Sequence, residues 1–407
     1  MAERLRAIQA QMTGLAKSPD DVVIVSSVRT PICRAKRGPF KDTHQEELLA
    51  VVLKAVVEKV GLNKALVDDI IVGNVLPPGG GATISRMAQL YAGFPEKCSI
   101  ATINRQCSSG LQAIASVAAA IASGQINIGI GAGAESMSMN YGPIAMPQSN
   151  SEAVLNNPSS ADCLMPMGIT SENVASTFGV SREKQDRFAE LSHKRAARAQ
   201  QLGLFNEEII PVTVKVQDKN GSEKTMTVSK DDGIRADTTF ESLSKLRAAF
   251  KENGTTTAGN SSQVSDGAAA ALLMKRKTAA QLGLPILATF KSFATVGVPP
   301  NIMGIGPAFA IPVALEKAGL TVKDIDVFEI NEAFASQAVY CVEKLGIDVN
   351  KVNPNGGGIA LGHPLGCTGA RQMATLLPEL KRRNGRFGVI SMCIGTGMGA
   401  AAVIERE

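Results

Sequence analysis

Tryptophan is absent from this sequence of 407 residues, and aromatic residues make up only 4% of it. Binding of nucleic acid by stacking bases on aromatic rings is therefore not indicated. No run of about 18 uncharged apolar residues occurs, so the sequence predicts no membrane-spanning helix. The net charge of +5 comes from scattered Lys and Arg residues. This distribution does not indicate a surface for polyanions, but it leaves a small phosphorylated ligand open.

Cys-x-x-Cys pairs are missing as well, and histidine is scarce. The seven cysteines are odd in number and widely spaced, at positions 33, 98, 107, 163, 341, 367 and 393. This pattern suggests neither a disulfide framework nor a zinc site, so we predict no metal and favour a reducing compartment. Any imidazole chemistry has three candidates, which are His44, His193 and His363.

Apolar residues (44%) and glycine (39 residues) are, in contrast, plentiful. Short apolar runs, such as 22–25 and 69–74, alternate with amphipathic helical patterns, such as 46–60. Buried strands that alternate with helices are typical of a protein whose sheets are covered on both faces. The sequence therefore predicts the α/β class.

An internal repeat indicates how these elements are arranged. Residues 58–62 (Glu-Lys-Val-Gly-Leu) recur as 316–320 (Glu-Lys-Ala-Gly-Leu), and the strand that ends at Asn74 recurs as the strand that ends at Asn331. The repeat predicts one α/β unit present twice, with an insertion before the last strand of the first copy. We therefore divide the chain into an N-terminal segment (1–20), a first half (21–134 and 255–280), an inserted loop domain (135–254) and a second half (281–407).

The insertion is predicted to contain a helix over 181–202 and a hairpin around 218–221. A small inserted fold beside a cleft is a reasonable substrate-binding lid. The helix carries Lys194, Arg195 and Arg198, and a solvated face is the simpler explanation of these basic side chains.

Cys107 stands between a predicted strand at 99–103 and a predicted helix that ends before Gly124. The unpaired N–H groups and the dipole of a helix N-terminus favour negative charge. We therefore expect the Cys107 thiol to be more thiolate-like than a free thiol, which is the form that attacks carbonyls. The alternative is a small buried cysteine that begins a core helix.

The second copy contributes His363, in a loop that the repeat matches to the Cys107 turn. A cysteine in one copy and a histidine in the other could then meet as nucleophile and base. Asn331 follows a matched strand, and Cys393 lies in a segment that we place between the last two strands. Each has a quieter explanation: His363 as a turn residue, Asn331 as a helix cap, and Cys393 as a small residue at a strand end.

Seven motifs, in this order, resemble those of the thiolase family, and within it those of the peroxisomal 3-ketoacyl-CoA thiolases. They are Asn104-Arg-Gln-Cys107-Ser-Ser-Gly110, Gly133-Ala-Glu-Ser-Met137, Met167-Gly-Ile-Thr-Ser-Glu-Asn-Val-Ala175, Thr257-Ala-Gly-Asn-Ser-Ser-Gln-Val-Ser-Asp-Gly267, Asn331-Glu-Ala-Phe334, Gly362-His-Pro-Leu-Gly366 and Cys393-Ile-Gly-Thr-Gly397. The resemblance implies a thiolase fold, with two duplicated βα halves in α-β-α-β-α layers and an inserted loop domain. It also implies a homodimer.

The resemblance implies a thiolytic reaction that needs no cofactor, with coenzyme A (CoA) as co-substrate. Cys107 would attack the C3 carbonyl of a 3-ketoacyl-CoA and keep the acyl group. Cys393 would protonate the acetyl-CoA carbanion and then deprotonate the incoming CoA thiol. His363 would activate Cys107 and hold the enolate oxygen, together with a water positioned by Asn331. The N–H groups of Cys107 and Gly395 would form a second oxyanion hole.

For CoA, the resemblance places the pantetheine beside Ser262 and the adenine near Arg235, while Phe334 would line the acyl pocket. Met167 is a further expected contact. Pro166 stands before Met167 where acetoacetyl-specific thiolases usually carry a histidine, which favours a degradative enzyme for longer chains. The alternatives are an acetoacetyl-CoA thiolase, a related condensing enzyme, or a CoA- or lipid-binding carrier that keeps the fold without turnover.

The N-terminal segment carries an apolar stripe at helical spacing and the pattern Arg4-Leu5-x5-Gln11-Met12. This pattern resembles the peroxisomal N-terminal targeting nonapeptide and implies an import receptor and a peroxisomal location. A short docking helix is the alternative, and the compartment would then be a reducing matrix or the cytosol.

Overall fold

The computed structural model describes residues 17–142, 149–217 and 222–407. The targeting-like pattern of residues 4–12 and the predicted hairpin turn at 218–221 lie outside the described residues. We therefore keep the targeting segment as a prediction.

The described residues form twelve strands and fourteen α-helices. The strands are β1 (Val22–Arg29), β2 (Cys33–Arg34), β3 (Asp69–Gly73), β4 (Ser99–Ile103), β5 (Ile128–Ser136), β6 (Val212–Gln217), β7 (Glu223–Val228), β8 (Ser265–Lys275), β9 (Ala288–Gly297), β10 (Val327–Ile330), β11 (Phe387–Ile394) and β12 (Met398–Arg406). The helices are α1 (Gln45–Glu58), α2 (Ala82–Tyr91), α3 (Ser109–Ser123), α4 (Met137–Asn140), α5 (Glu152–Leu155), α6 (Pro158–Ala161), α7 (Met167–Phe178), α8 (Arg182–Gln201), α9 (Phe240–Ser244), α10 (Arg276–Gln281), α11 (Gly306–Ala318), α12 (Ala335–Leu345), α13 (Gly358–Leu361) and α14 (Thr368–Arg382).

The main sheet consists of two like parts that join at β1 and β9. The strand order is β4-β3-β5-β8-β1 in the first part and β10-β11-β12-β9 in the second. Strand β3 is parallel to both β4 and β5 in the first part, and β10 is parallel to β11 in the second part. The pairs β5–β8, β8–β1, β11–β12 and β12–β9 are antiparallel. Only the pairs Val23–Thr289 and Ile24–Ala288 connect β1 to β9. The predicted duplication is therefore present in the topology.

Helices cover both faces of both parts and give the five layers α-β-α-β-α. Helices α3 and α14 form the middle layer, where Leu111 and Ile114 share one core cluster with Met373 and Leu376. Helix α1 covers the outer face of the first part. Helices α11 and α12 cover the outer face of the second part. The predicted fold class is confirmed.

Small residues let α3 approach the first sheet closely. A Cβ atom on Gly131 of β5 would lie 2.5 Å from the Cα of Ile114, so the bare backbone of β5 packs directly on the helix. Helix α3 ends at Gly124, which takes the left-handed conformation at φ 80° that glycine favours. The helix that the sequence predicts between Cys107 and Gly124 is thus observed.

The insertion contains α8 and the pair β6–β7, close to the predicted helix and hairpin. Of the three basic side chains interpreted as a solvated face of α8, Lys194 and Arg198 are exposed, and Lys194 pairs with Glu190 at the surface. Arg195 is half-buried and donates to the carbonyls of Val352 (2.6 Å) and Val349 (3.1 Å). The solvated-face explanation is therefore supported for Lys194 and Arg198 but not for Arg195. We keep the division of the chain into halves and loop domain as a proposal.

Candidate active site

Cys107 lies on the turn between β4 and α3, and hydrogen bonds within the turn fix its backbone. The Ser109 hydroxyl donates to the Gln106 carbonyl (2.7 Å) and accepts from the Arg105 N–H (2.9 Å). The Asn104 side chain accepts from the Gln106 N–H (2.9 Å). Gln106 adopts a positive φ of 47°, which few non-glycine residues do. The tight turn presents Cys107 at the start of α3, with 8% of its surface exposed.

Burial raises the pKa of the Cys107 thiol to about 11. Hydrogen bonds from the backbone N–H groups of Gly395 and of Cys107 itself oppose this rise, while the carboxylate of Glu135 adds to it. The expectation of a thiolate-like Cys107 is therefore wrong, because desolvation outweighs these two N–H hydrogen bonds. The same two N–H groups are those that we assign to an oxyanion hole, and both are directed at the sulfur.

This finding predicts how Cys107 reacts with iodoacetamide in the absence of substrate. A thiol with a raised pKa stays protonated at neutral pH, so the alkylation rate should keep rising with pH above the pKa of an ordinary thiol, about 8.5. The rate of loss of activity, measured across the alkaline range with mass spectrometry of the Cys107 peptide, tests this. An alkylation rate that stops rising below that pH would instead support the thiolate-like cysteine that the sequence predicts.

Cys393 is fully buried near the end of β11, where it pairs with Gly399 of β12. We placed its segment between the last two strands, and this is corrected: Cys393 and Ile394 belong to β11. Burial raises the pKa of Cys393 well above its usual value, and the nearby sulfurs of Cys107 and Cys341 raise it further. The structure therefore brings the two cysteines of the predicted site within electrostatic reach of each other.

His363 is buried in the loop that leads into α14 and is held on both ring nitrogens. Its Nδ1 lies 2.5 Å from the Thr368 hydroxyl, and its Nε2 lies 3.3 Å from Nδ2 of Asn331. The Thr368 hydroxyl donates its proton to the Pro364 carbonyl (3.0 Å), so it accepts from His363. Nδ1 therefore carries the ring proton, and Nε2 is an acceptor that faces the Asn331 amide.

Burial lowers the pKa of His363 to about 3, and the positive charge of Arg371 lowers it further. Arg371 is itself buried and pairs with Glu329 (3.2 Å). The resting site thus contains a neutral imidazole and a protonated Cys107, and not an ion pair. Such an imidazole can accept a proton at Nε2 while the thiol attacks.

Asn331 is fully buried directly after β10, and it does not cap a helix. The next helix, α12, begins only at Ala335. The residues between Asn331 and Ala335 pair instead with the segment before β8, where the Ser262 N–H donates to the Ala333 carbonyl (3.0 Å). The helix-cap explanation is therefore wrong. The side chain instead donates to His363.

Phe334 and Met167 pack around Cys393 in one cluster with Met303 and Ala333. The ring of Phe334 also meets that of Phe250 edge to face, with centroids 6.2 Å apart. An apolar lining thus adjoins the Cys393 sulfur, as an acyl pocket requires.

The other two predicted CoA contacts lie outside this cluster. Ser262 is half-buried beside Ala333, to which its N–H is bonded. Arg235 lies on a loop and is exposed. Its backbone N–H donates to Nδ1 of His193 (3.2 Å), which is a buried histidine on α8. A long ligand such as CoA would have to extend from Cys107 to α8 to touch both.

Sequence reasoning missed Thr368 and Arg371, which set the tautomer and charge of His363. The only sequence signal for Thr368 was its place five residues after His363, at the first residue of the next helix. In the described part of the chain, no group of three metal-ligating side chains is present. None of the described helices is long and apolar enough to cross a membrane.

Two like layered halves, with two cysteines and a histidine on the turns and strand ends near their junction, define a thiolase-fold acyltransferase. The model of the thiolase N-terminal domain matches residues 22–277, and that of the thiolase C-terminal domain matches residues 284–406. The chain belongs to the thiolase family.

Relatives from animals, plants and yeast are similar over nearly the whole chain. Peroxisomal 3-ketoacyl-CoA thiolase B of Mus musculus is 60% identical over 406 residues, or 98% of this chain and 94% of that protein. Peroxisomal 3-ketoacyl-CoA thiolase 2 of Arabidopsis thaliana is 62% identical over 391 residues, or 95% and 84%. The crystal structure of the dimeric peroxisomal thiolase of Saccharomyces cerevisiae matches with a TM-score of 0.90 at 50% identity, over 97% of this chain and 100% of that one.

Proposed function

We propose that this protein is a degradative 3-ketoacyl-CoA thiolase of fatty acid β-oxidation, which uses CoA to release acetyl-CoA and a shortened acyl-CoA. The observation that carries the proposal is the convergence on Cys107 of the Gly395 N–H and the Cys393 sulfur. A nucleophile, a donor for its tetrahedral intermediate and a proton donor are what a carbon–carbon cleavage through an acyl-cysteine needs.

In the proposed reaction, Cys107 attacks the C3 carbonyl while its proton moves to Nε2 of His363. The imidazole then carries a proton on both nitrogens, so the same Nε2 can donate to the enolate oxygen of the leaving acetyl-CoA. Asn331 would position a water for that oxygen. The N–H groups of Cys107 and Gly395 would hold the oxyanion of the intermediate, where one such donor is worth about 3 kcal/mol.

Cys393 would protonate the carbanion and later take the proton of the incoming CoA thiol. Its raised pKa keeps the thiol protonated at rest, which suits an acid in the cleavage direction. We propose CoA contacts at Arg235, Ser262, Met167 and Phe334, and a reaction that requires no metal or other cofactor.

Thr368 gives a sharp test of the role of His363. Replacing it by valine keeps the size of the side chain but leaves the Nδ1 proton without an acceptor, which costs about 1–3 kcal/mol and frees the other tautomer. We expect kcat to fall about tenfold or more, with little change in KM, and the pH profile of kcat to shift. Thr368→Ser retains the hydroxyl and should restore the rate. Equal kcat values for the serine and valine variants would contradict the assigned tautomer.

The main alternatives differ in measurable ways. A condensing enzyme of the same fold would use a second histidine or an asparagine where this chain has Cys393. An acetoacetyl-CoA thiolase would prefer the shortest substrates, and a CoA- or lipid-binding carrier would show no turnover. Rates of thiolysis for a series of 3-ketoacyl-CoA substrates with short, medium and long chains separate these functions. Cleavage that extends beyond acetoacetyl-CoA supports the proposal, and binding without cleavage contradicts it.

We also propose a homodimer. Strand β4 is the last strand of its sheet and contains no fully buried residue, and α2 beside it exposes three large apolar side chains. These are Met87, Leu90 and Tyr91, of which Tyr91 is 85% exposed. An open edge with adjacent apolar surface favours pairing with a second copy.

The relatives are peroxisomal by name, and we assign this protein to the peroxisome. Recognition of the Arg4-Leu5-x5-Gln11-Met12 pattern by an import receptor is part of the same proposal.

A further inference from the structure

Glu135 is a fully buried carboxylate on β5 that takes no part in the proposed reaction. Among the described residues, no lysine or arginine forms a salt bridge with it, although buried carboxylates usually have a cationic partner. Its partners are instead three backbone N–H groups from two separate segments of the chain. Both oxygens therefore act as acceptors, as an ionised carboxylate allows and a glutamine amide does not.

The three donors join the two halves. Val75 (3.0 Å) and Leu76 (3.2 Å) follow β3 of the first half. Gly366 (2.9 Å) belongs to the loop of the second half that carries His363. The Val75 carbonyl accepts from Nδ2 of Asn104 in the Cys107 turn (3.1 Å), so one carboxylate connects the backbone beside that turn to the loop of His363.

Glycines bring the same two segments into direct backbone contact around Glu135. A Cβ atom on Gly366 would lie 2.5 Å from the Cα of Asn74. Cβ atoms on Gly110 and Gly133 would lie 2.6 Å and 2.2 Å from the Gly366 carbonyl oxygen. The His363 loop is therefore seated on the first turn of α3 and on β5, with no side chains between them.

We infer that Glu135 is a positioning residue that holds the His363 loop against the Cys107 turn, so that nucleophile and base keep their distance during catalysis. This inference rests on the proposed function. A misplacement of about 1 Å between catalytic groups can cost about 10²-fold in rate, so a fixed connection between the halves has a direct effect on kcat.

The charge of Glu135 also makes the Cys107 thiol harder to ionise, which an uncharged side chain at the same position would not do. Burial raises the pKa of Glu135 to about 7, against the three N–H groups that lower it, so the carboxylate is ionised in the alkaline range where Cys107 is alkylated. There its negative charge raises the pKa of the Cys107 thiol. Removing the charge should therefore make Cys107 easier to ionise while it loosens the loop. A positioning role thus predicts opposite changes in thiol reactivity and in turnover.

Glu135→Gln is the principal test, in the full-length protein. We expect kcat for thiolysis to fall about 10²-fold with the KM for CoA nearly unchanged, while alkylation of Cys107 by iodoacetamide begins at lower pH. Asp266→Asn is the matched control. Asp266 is a buried acid on the neighbouring strand β8, and among the described residues its side-chain hydrogen bonds go to Ser136 and Ser138 and not to the His363 loop. Its loss should therefore leave kcat and the alkylation profile unchanged.

Gly366→Ala tests the same loop without changing the charge, and it should lower kcat with no shift in alkylation. It also serves as the test if the Glu135→Gln protein does not fold. Wild-type kcat in the folded variants, or an equal loss in Asp266→Asn, overturns the positioning role. Absence of thiolysis in the unmodified protein would instead overturn the proposed function, so the two failures are distinguishable.

Discussion

Replacing Cys107 by serine is expected to abolish CoA-dependent cleavage of 3-ketoacyl-CoA while the protein remains folded. A serine hydroxyl is far less nucleophilic than a thiol and far less acidic, so it gives up its proton to His363 much less readily. Loss of a covalent nucleophile costs on the order of 10⁴-fold or more in kcat. The measurement is the disappearance of the 3-ketoacyl-CoA absorbance together with mass spectrometry of the intact protein, which should show no acyl adduct.

The serine variant is expected to fold because the exchange is nearly isosteric. The hydroxyl also meets the N–H groups that face the sulfur, those of Gly395 and of residue 107 itself. Cys98→Ser is the matched control, since Cys98 is also a buried cysteine but lies outside the proposed site. It should keep normal turnover. Retained turnover in Cys107→Ser would remove Cys107 from the mechanism and leave the site without a nucleophile.

The fold could be predicted from the sequence to a large extent because its signals are local or repeated. Strand β4 is observed at the predicted residues 99–103, and helix α3 ends at Gly124 as predicted. The repeat gave the duplicated topology because two copies of one pattern must form two like sheets. How the halves meet was not predictable, since the contact of β1 with β9 joins residues more than 250 positions apart and has no local pattern.

The candidate site could be predicted as a set of residues but not in its electrostatics. Sequence spacing identified the helix N-terminus behind Cys107, and this feature favours a thiolate. It could not give the depth of burial, which reverses the direction of the pKa shift. The expected cap at Asn331 was wrong for a similar reason, because long-range pairing with 260–262 keeps the chain extended as far as Phe334.

Replacing Cys393 by alanine should separate the two chemical halves of the reaction. Attack by Cys107 does not require the second thiol, so slow acylation of Cys107 is expected to remain. Protonation of the carbanion does require it, and loss of a general acid or base costs about 10²–10⁴-fold. In the reverse sense, Cys393 would remove an α-hydrogen of acetyl-CoA. Exchange of these hydrogens with deuterated water, followed by nuclear magnetic resonance, should therefore fall by a similar factor.

The control for this experiment is Cys341→Ala, because Cys341 is a second buried thiol close enough to influence the pKa of Cys393. If exchange depended only on the packing or the field of a neighbouring sulfur, both variants would lose it. If Cys393 carries the proton, exchange falls in Cys393→Ala alone and survives in Cys341→Ala. Normal exchange in Cys393→Ala would assign the proton transfer to another group, and the neutral Nε2 of His363 would then be the remaining base in the site.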